Sequence, residues 1–190
     1  MKLDNSLEPF RAAIESLQRL LHQFDERGVI IGGIAVGFLG KPRFTADVDA
    51  MFLLSTTEIP KLIELAKTEN IIPRIQGADD FARKYRVLLL KHTPTDIDID
   101  ISLGILPFEE EMVERGNIQT FSNLSVRLPT PEDLIIMKAV AHRPKDLEDI
   151  RTIAEKYPNL DMHRIQMWVT GFGELLETPN LWEIIKALLK

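Results

Sequence analysis

The sequence predicts an α+β fold: a mixed β-sheet flanked by helices, followed by a helical C-terminal lobe. Three observations carry this expectation. Apolar residues recur at helical spacing at both ends of the chain. The middle alternates short apolar runs with period-two segments, and after Leu128 the pattern is nearly all helical. The expected organisation is a core with its N-terminal helix over 1–128 and a helical lobe packed on it over 129–190.

Leu7, Phe10, Ile14, Leu17, Leu21 and Phe24 share one helix face, with Asn5 or Ser6 as a cap and Gly28 past the end. Val29 to Ile31 reads as a short buried strand broken by Gly32-Gly33, and Ile34 to Leu39 as a short helix stopped by Gly40 and Pro42. Val48 to Leu54 is a second strand. Ile59, Leu62, Ile63 and Ala66 then predict a helix from Thr57 to Glu69. Tyr85 to Lys91 is a third strand, and Asp96 to Leu103, alternating acid and apolar, a fourth with one acidic edge. Pro107-Phe108-Glu109 opens a helix, Asn123 to Leu128 is a fifth strand, and Thr130-Pro131-Glu132-Asp133 is a helix start. Helices over Pro131–His142, Lys145–Tyr157, Met162–Phe172 and Pro179–Leu189 complete the chain.

Composition narrows the function classes. With 190 residues, 45% hydrophobic and 27% charged, the chain suits one ordinary globular domain, or one with a helical extension. It has no cysteine, which excludes disulfides, cysteine–zinc sites and thiol catalysis. A net charge of −6 argues against a generic nucleic-acid binder, although a metal ion or local basic patch still lets an acidic protein handle a polyanion. Met1 to Asn5 lacks the basic-then-apolar pattern of a secretory signal, and Val29 to Leu39 is too short to span a bilayer. A cytoplasmic protein with no membrane partner is expected.

The chemistry concentrates in Gly32-Gly33, Lys41, Arg43 and Thr45-Ala46-Asp47-Val48-Asp49. On a strand Asp47 and Asp49 point to one face, roughly 7 Å apart, and repel unless a cation lies between them. A hard divalent ion suits two carboxylates. A solvated strand edge is the bland reading of the same pattern. Gly32-Gly33 follows a strand and opens a helix, where backbone N–H groups face a phosphate; for the pair taken alone, a tight turn without ligand is the commoner meaning. Arg43 and Thr45 stand where they reach phosphate oxygens or hold the loop.

Asp96, Asp98 and Asp100 form a second acidic row, unfavourable on one strand face without compensation. Beside the second strand, one of them completes a three-carboxylate cluster of the kind that metal-assisted phosphoryl and nucleotidyl transfer uses. Lys138 lies in an apolar helix where an ammonium needs a partner; a triphosphate supplies one, and snorkelling to water is the alternative. Lys145, Asp146 and Asp149 also fit an ordinary helix start. No Gly-x-Ser-x-Gly and no closely spaced His pair occurs, so hydrolase triads and zinc sites have no support.

Gly32-Gly33 with Ala35, Gly40, Arg43, Thr45 and Asp47-Val48-Asp49 resembles the signature of the DNA polymerase β-type nucleotidyltransferase superfamily. Asp100-Ile101-Ser102-Leu103-Gly104 with Leu106-Pro107-Phe108-Glu109 resembles that family's third-acid strand and the loop after it. Lys138 and Arg143-x-Lys145-Asp146-x-x-Asp149 resemble the C-terminal motif of the AbiEii-like branch, which includes toxins of type IV toxin–antitoxin systems. The resemblance implies a minimal nucleotidyltransferase core, with NTP as substrate and Mg²⁺ or Mn²⁺ as cofactor. It implies transfer of a nucleotidyl group to an acceptor hydroxyl on RNA, such as a tRNA 3′ end, or on protein, and a possible cognate antitoxin. Asp47, Asp49 and Asp100 would hold metal, with Asp98 the rival third acid. Gly32, Gly33, Arg43, Thr45, Lys138 and Asp146 would stand at the nucleotide. The alternative is a catalytically weak nucleotide-binding or protein-interaction module of the same fold. Arg83, Lys84 and Arg86 are a candidate basic patch for a nucleic-acid acceptor, though a solvated charge run is the commoner meaning.

Overall fold

Residues 6–189 are described by the computed structural model, in which the chain divides into two units. The first ends at Ile34 and resumes over Pro42–Pro129; the second joins Ala35–Lys41 to the chain from Thr130 onward.

In the first unit, β1 (Gly28–Ile30), β2 (Asp47–Phe52), β3 (Ile71–Pro73), β4 (Val87–His92) and β5 (Ile97–Leu103) form a mixed sheet in the order β1-β2-β5-β4-β3. β2 and β5 run parallel, and the other neighbours are antiparallel. The alternation in β5 decides its facing: Ile99 and Ile101 are fully buried, while Asp98 and Asp100 lie on the opposite face, partly open. A one-residue slip would put two aspartates in the core, so the register is strongly specified. Helix α1 (Arg11–His22) buries Ile14, Leu17, Leu20 and Leu21, and Phe24 just beyond it meets the edge of Phe52 at 6.1 Å. Helix α2 (Gly32–Leu39) begins in this unit, which also holds α3 (Ile59–Thr68), α4 (Ala78–Tyr85), α5 (Pro107–Arg115) and a hairpin of β6 (Asn117–Phe121) and β7 (Leu124–Leu128). Arg127 ties the hairpin down: its guanidinium donates to Gly28 O at 3.1 Å and Val113 O at 2.9 Å.

The second unit contains α6 (Pro131–Ala141), α7 (Pro144–Lys156), α8 (Met162–Leu175) and α9 (Leu181–Leu188). Thr130 caps α6 by accepting the Asp133 N–H at 3.2 Å, as the sequence predicts. Left-handed His142 ends α6, and Pro144 starts α7 where its missing N–H costs nothing. Ala35–Lys41 is held by Lys156, whose Nζ donates to Phe38 O at 2.7 Å, and by the Lys41–Glu155 ion pair at 2.6 Å. No described helix is long and apolar enough to cross a membrane.

The observed elements depart from the sequence reading at β3, α4, β6 and the start of α1. β3 has three residues, too few for a periodic signal, and α4 buries only two alanines, so neither reads as a buried stripe. β6 is mostly exposed and pairs only with β7. At the N-terminus, Asn5 lies outside the described residues; a 3₁₀ turn over Glu8–Phe10 leads into α1, which starts at Arg11 without a side-chain cap.

Candidate functional site

The parallel pairing of β2 with β5 sets Asp47 against Asp98 and Asp49 against Asp100. Side chains two apart on a strand share a face. All four carboxylates therefore lie on one side of the sheet, each partly exposed. The second acidic row does stand beside the first, and both Asp98 and Asp100 have a register partner in it. Asp96 does not: it precedes β5 with a left-handed backbone, and its side chain is 84% exposed.

Repulsion along this face is relieved by two cations. Lys91, the register partner of Asp98 on β4, places Nζ 2.8 Å from Asp96 and 3.6 Å from Asp98. Arg74, just past β3, donates through Nη1 and Nη2 to both oxygens of Asp100, and its Nε lies 3.6 Å from Asp98. The hydrogen bond to Asp100 holds the Arg74 pKa above its ordinary value; burial opposes this, and the charges of Asp100, Asp98 and Asp47 add to it.

Gly32 and Gly33 open α2 against these acids. Gly32 has φ +65°, and an added Cβ would fall on the Asp49 carboxylate. Only glycine serves both demands. A Cβ on Gly33 would lie 2.6 Å from Thr45 Oγ1 and 3.5 Å from an Arg43 guanidinium nitrogen. The Thr45 hydroxyl donates to Asp47 at 3.0 Å, and Arg43 donates to Phe44 O at 3.1 Å. Gly32, Gly33, Arg43, Thr45, Asp47 and Asp49 therefore form one neighbourhood. Phe44, between Arg43 and Thr45, is 90% exposed.

Lys138 and Asp146 meet each other inside the second unit. Lys138 Nζ lies 3.0 Å from Asp146 and 2.9 Å from Asp149, with all three side chains buried. Asp146 also accepts from the Arg143 guanidinium at 2.6 Å and the Arg143 backbone N–H at 3.2 Å, closing the first turn of α7. The partner that the Lys138 ammonium needs is thus supplied by the chain. In the candidate basic patch, Arg86 spends its guanidinium on the backbone oxygens of Leu103, Leu54 and Gly104, Arg83 pairs with Asp79 and Thr56 O, and exposed Lys84 holds its Nζ 5.0 Å from the Tyr85 ring centroid. These two arginines hold the fold locally.

Four carboxylates on one face make an all-oxygen donor set, which suits a hard divalent ion. The residues fit such an ion in kind and in register. Both oxygens of Asp100 are engaged by Arg74 and Asp47 accepts from Thr45, and among the described residues no group of three or more acids or histidines is gathered closely enough to hold a metal. Sequence reasoning missed Arg74. Its only signal was the uncompensated charge of the Asp96–Asp100 row, which demanded a cation without saying where it stood.

Residues 8–176 match the profile of a family described as "nucleotidyltransferase of unknown function" (DUF6036). No curated protein matches the chain. Among solved structures, an antigenic nucleotidyltransferase-like protein from Paracoccidioides brasiliensis is 16% identical, with a TM-score of 0.56 over 95% of this chain and 93% of its own. ANT(2″)-Ia, solved with adenylyl-2″-tobramycin, is 14% identical, with a TM-score of 0.54 over 86% of this chain and 98% of its own. A putative nucleotidyltransferase from H. pylori is 15% identical, with a TM-score of 0.50 over 97% and 90%. At these identities the structures show a shared fold.

Proposed function

We propose, since the chain belongs to the nucleotidyltransferases of unknown function (DUF6036), that it moves a nucleotidyl group from an NTP to an acceptor hydroxyl with Mg²⁺ or Mn²⁺. The observation that carries this reading is the β2–β5 register, which sets Asp47 and Asp49 beside Asp98 and Asp100, with the Gly32-Gly33 turn packed on Asp49. Asp47, Asp49 and Asp100 would hold the metal, with Asp98 flanking them. A bound divalent ion supplies charge neutralisation for the triphosphate. The N–H groups at the start of α2 take phosphate oxygens, with Arg43 and Thr45 beside them. The acceptor oxygen bonds to the α-phosphorus, the bond from it to the β-bridging oxygen breaks, and pyrophosphate leaves. Asp100, once released by Arg74, takes the hydroxyl proton. Lys138 and Asp146 belong, in this reading, to the ion cluster of the helical unit.

The acceptor is a hydroxyl of RNA or protein, and the protein acts in the cytoplasm. The resemblance to AbiEii-like proteins supports a toxin with a cognate antitoxin. The adenylyl-tobramycin held by ANT(2″)-Ia adds a small-molecule hydroxyl as a third class to offer. A second reading, a nucleotide-binding or interaction module that transfers poorly, is favoured by Arg74 covering both oxygens of Asp100. One experiment separates them. Each α-labelled NTP is supplied with Mg²⁺ and, in turn, total RNA, a protein extract and tobramycin. Label on one acceptor supports the transferase. A melting temperature raised by Mg²⁺ and NTP, with no label moved, supports the module.

A further inference from the structure

We propose that Arg74 is an internal counter-cation that competes with the divalent ion for Asp100, so that metal binding requires the Arg74–Asp100 pair to open. This rests on the metal-dependent reading above and deepens it. Arg74 is placed by the sheet: its N–H donates to Leu89 O at 3.1 Å, and Leu89 is the β4 register partner of Asp100. The guanidinium therefore reaches across one strand to the acid. A further bond from Nη1 to Leu90 O at 3.1 Å anchors it. It is a fork meeting a carboxylate, the geometry in which arginine binds most firmly, and its side chain is only 22% exposed.

The consequence follows from occupancy. Arg74 engages both oxygens of Asp100, while a metal shared with Asp47 and Asp49 needs at least one of them. Among the described residues, no three carboxylates are gathered as a ligand group. Lys91 does not duplicate the role, because its Nζ pairs with Asp96 and Asp98. Whatever stabilises the metal-free arrangement lowers metal affinity by the same free energy. Removing Arg74 leaves Asp100 without its counter-cation until metal arrives, and it removes a positive charge beside a dication. A unit charge about 6 Å from a dication, screened as in bulk water, changes affinity about tenfold.

The test is calorimetric titration of Mn²⁺ into the full chain without nucleotide. Arg74→Met should bind Mn²⁺ about tenfold tighter than wild type, melt at a lower temperature without metal, and gain more from Mn²⁺ on melting. Arg74→Lys keeps the charge without the fork and should bind about threefold tighter; it carries the test if Arg74→Met does not fold. A wild type that binds Mn²⁺ and variants that bind it equally or more weakly would overturn the competition and leave the metal reading standing. Absence of Mn²⁺ binding in every protein would overturn both. A merely structural arginine predicts weaker binding on its loss, the opposite sign.

Discussion

Replacing Lys138 by methionine asks whether this lysine reads a triphosphate or holds a helical unit together. Its ammonium sits 3.0 Å from Asp146 and 2.9 Å from Asp149, with side-chain exposures of 6%, 0% and 3%. Methionine keeps the length of the stem and removes the charge. Breaking a buried pair strands the remaining charges and costs about 3–5 kcal/mol. Asp146 keeps Arg143, which places the expected cost near ~3 kcal/mol, the lower end of that range. At roughly 2–4 °C per kcal/mol for a chain of this size, the melting temperature should fall by about 10 °C. The assay is thermal melting by circular dichroism, paired with NTP binding well below the transition. Acid supplies a second axis. Burial pushes the Asp146 carboxyl up, but the hydrogen bonds from Arg143 and Lys138 outweigh it and hold the carboxyl below its ordinary value. A carboxyl depressed on folding contributes stability that is present above about pH 4 and lost as pH falls through the lower, folded value. The gap between wild type and variant should therefore narrow below about pH 4. An unchanged melting temperature with weakened binding of all four NTPs would refute this reasoning and return Lys138 to the triphosphate.

Three further outcomes follow from the same geometry. Gly32→Ala should cost roughly 1–3 kcal/mol and lower transfer at least tenfold, because a Cβ at φ +65° meets Asp49; normal activity would remove the turn from the site. Asp47→Asn and Asp49→Asn should each abolish transfer with circular dichroism unchanged, and near-normal rates in both would cancel the metal assignment. Initial rates at saturating Mg²⁺ should rank Asp100→Asn as inactive, Asp98→Asn as impaired and Asp96→Asn as near normal. A ranking led by Asp96 would contradict the register in which Asp49 faces Asp100.

Much of this arrangement is legible in the residues. The period-two alternation of Asp98, Ile99, Asp100 and Ile101 announces a strand with one buried face, and the structure buries that face. Thr130-Pro131 marks a helix start whose cap is formed. What sequence could not reveal is the charge balance. Arg74 meets Asp100 because β3 lies beside β4 and β4 beside β5, a consequence of strand order that no local pattern encodes. β3 itself, at three residues, gives no periodic signal. For Lys138 the sequence shows that an apolar helix carries a cation needing a partner. It does not show that the turn at His142 and Arg143 brings the start of α7 back against α6, where Asp146 supplies that partner.

The central claim is that a nucleotidyl group, and not a phosphate, is transferred. Pyrophosphate and inorganic phosphate released from α-labelled NTP should be measured together, with Mg²⁺ and the acceptor fraction that takes label. Wild type should release one pyrophosphate per label incorporated, and Asp49→Asn should release none. Release of inorganic phosphate without labelled acceptor, or equal pyrophosphate from Asp49→Asn, would contradict the account.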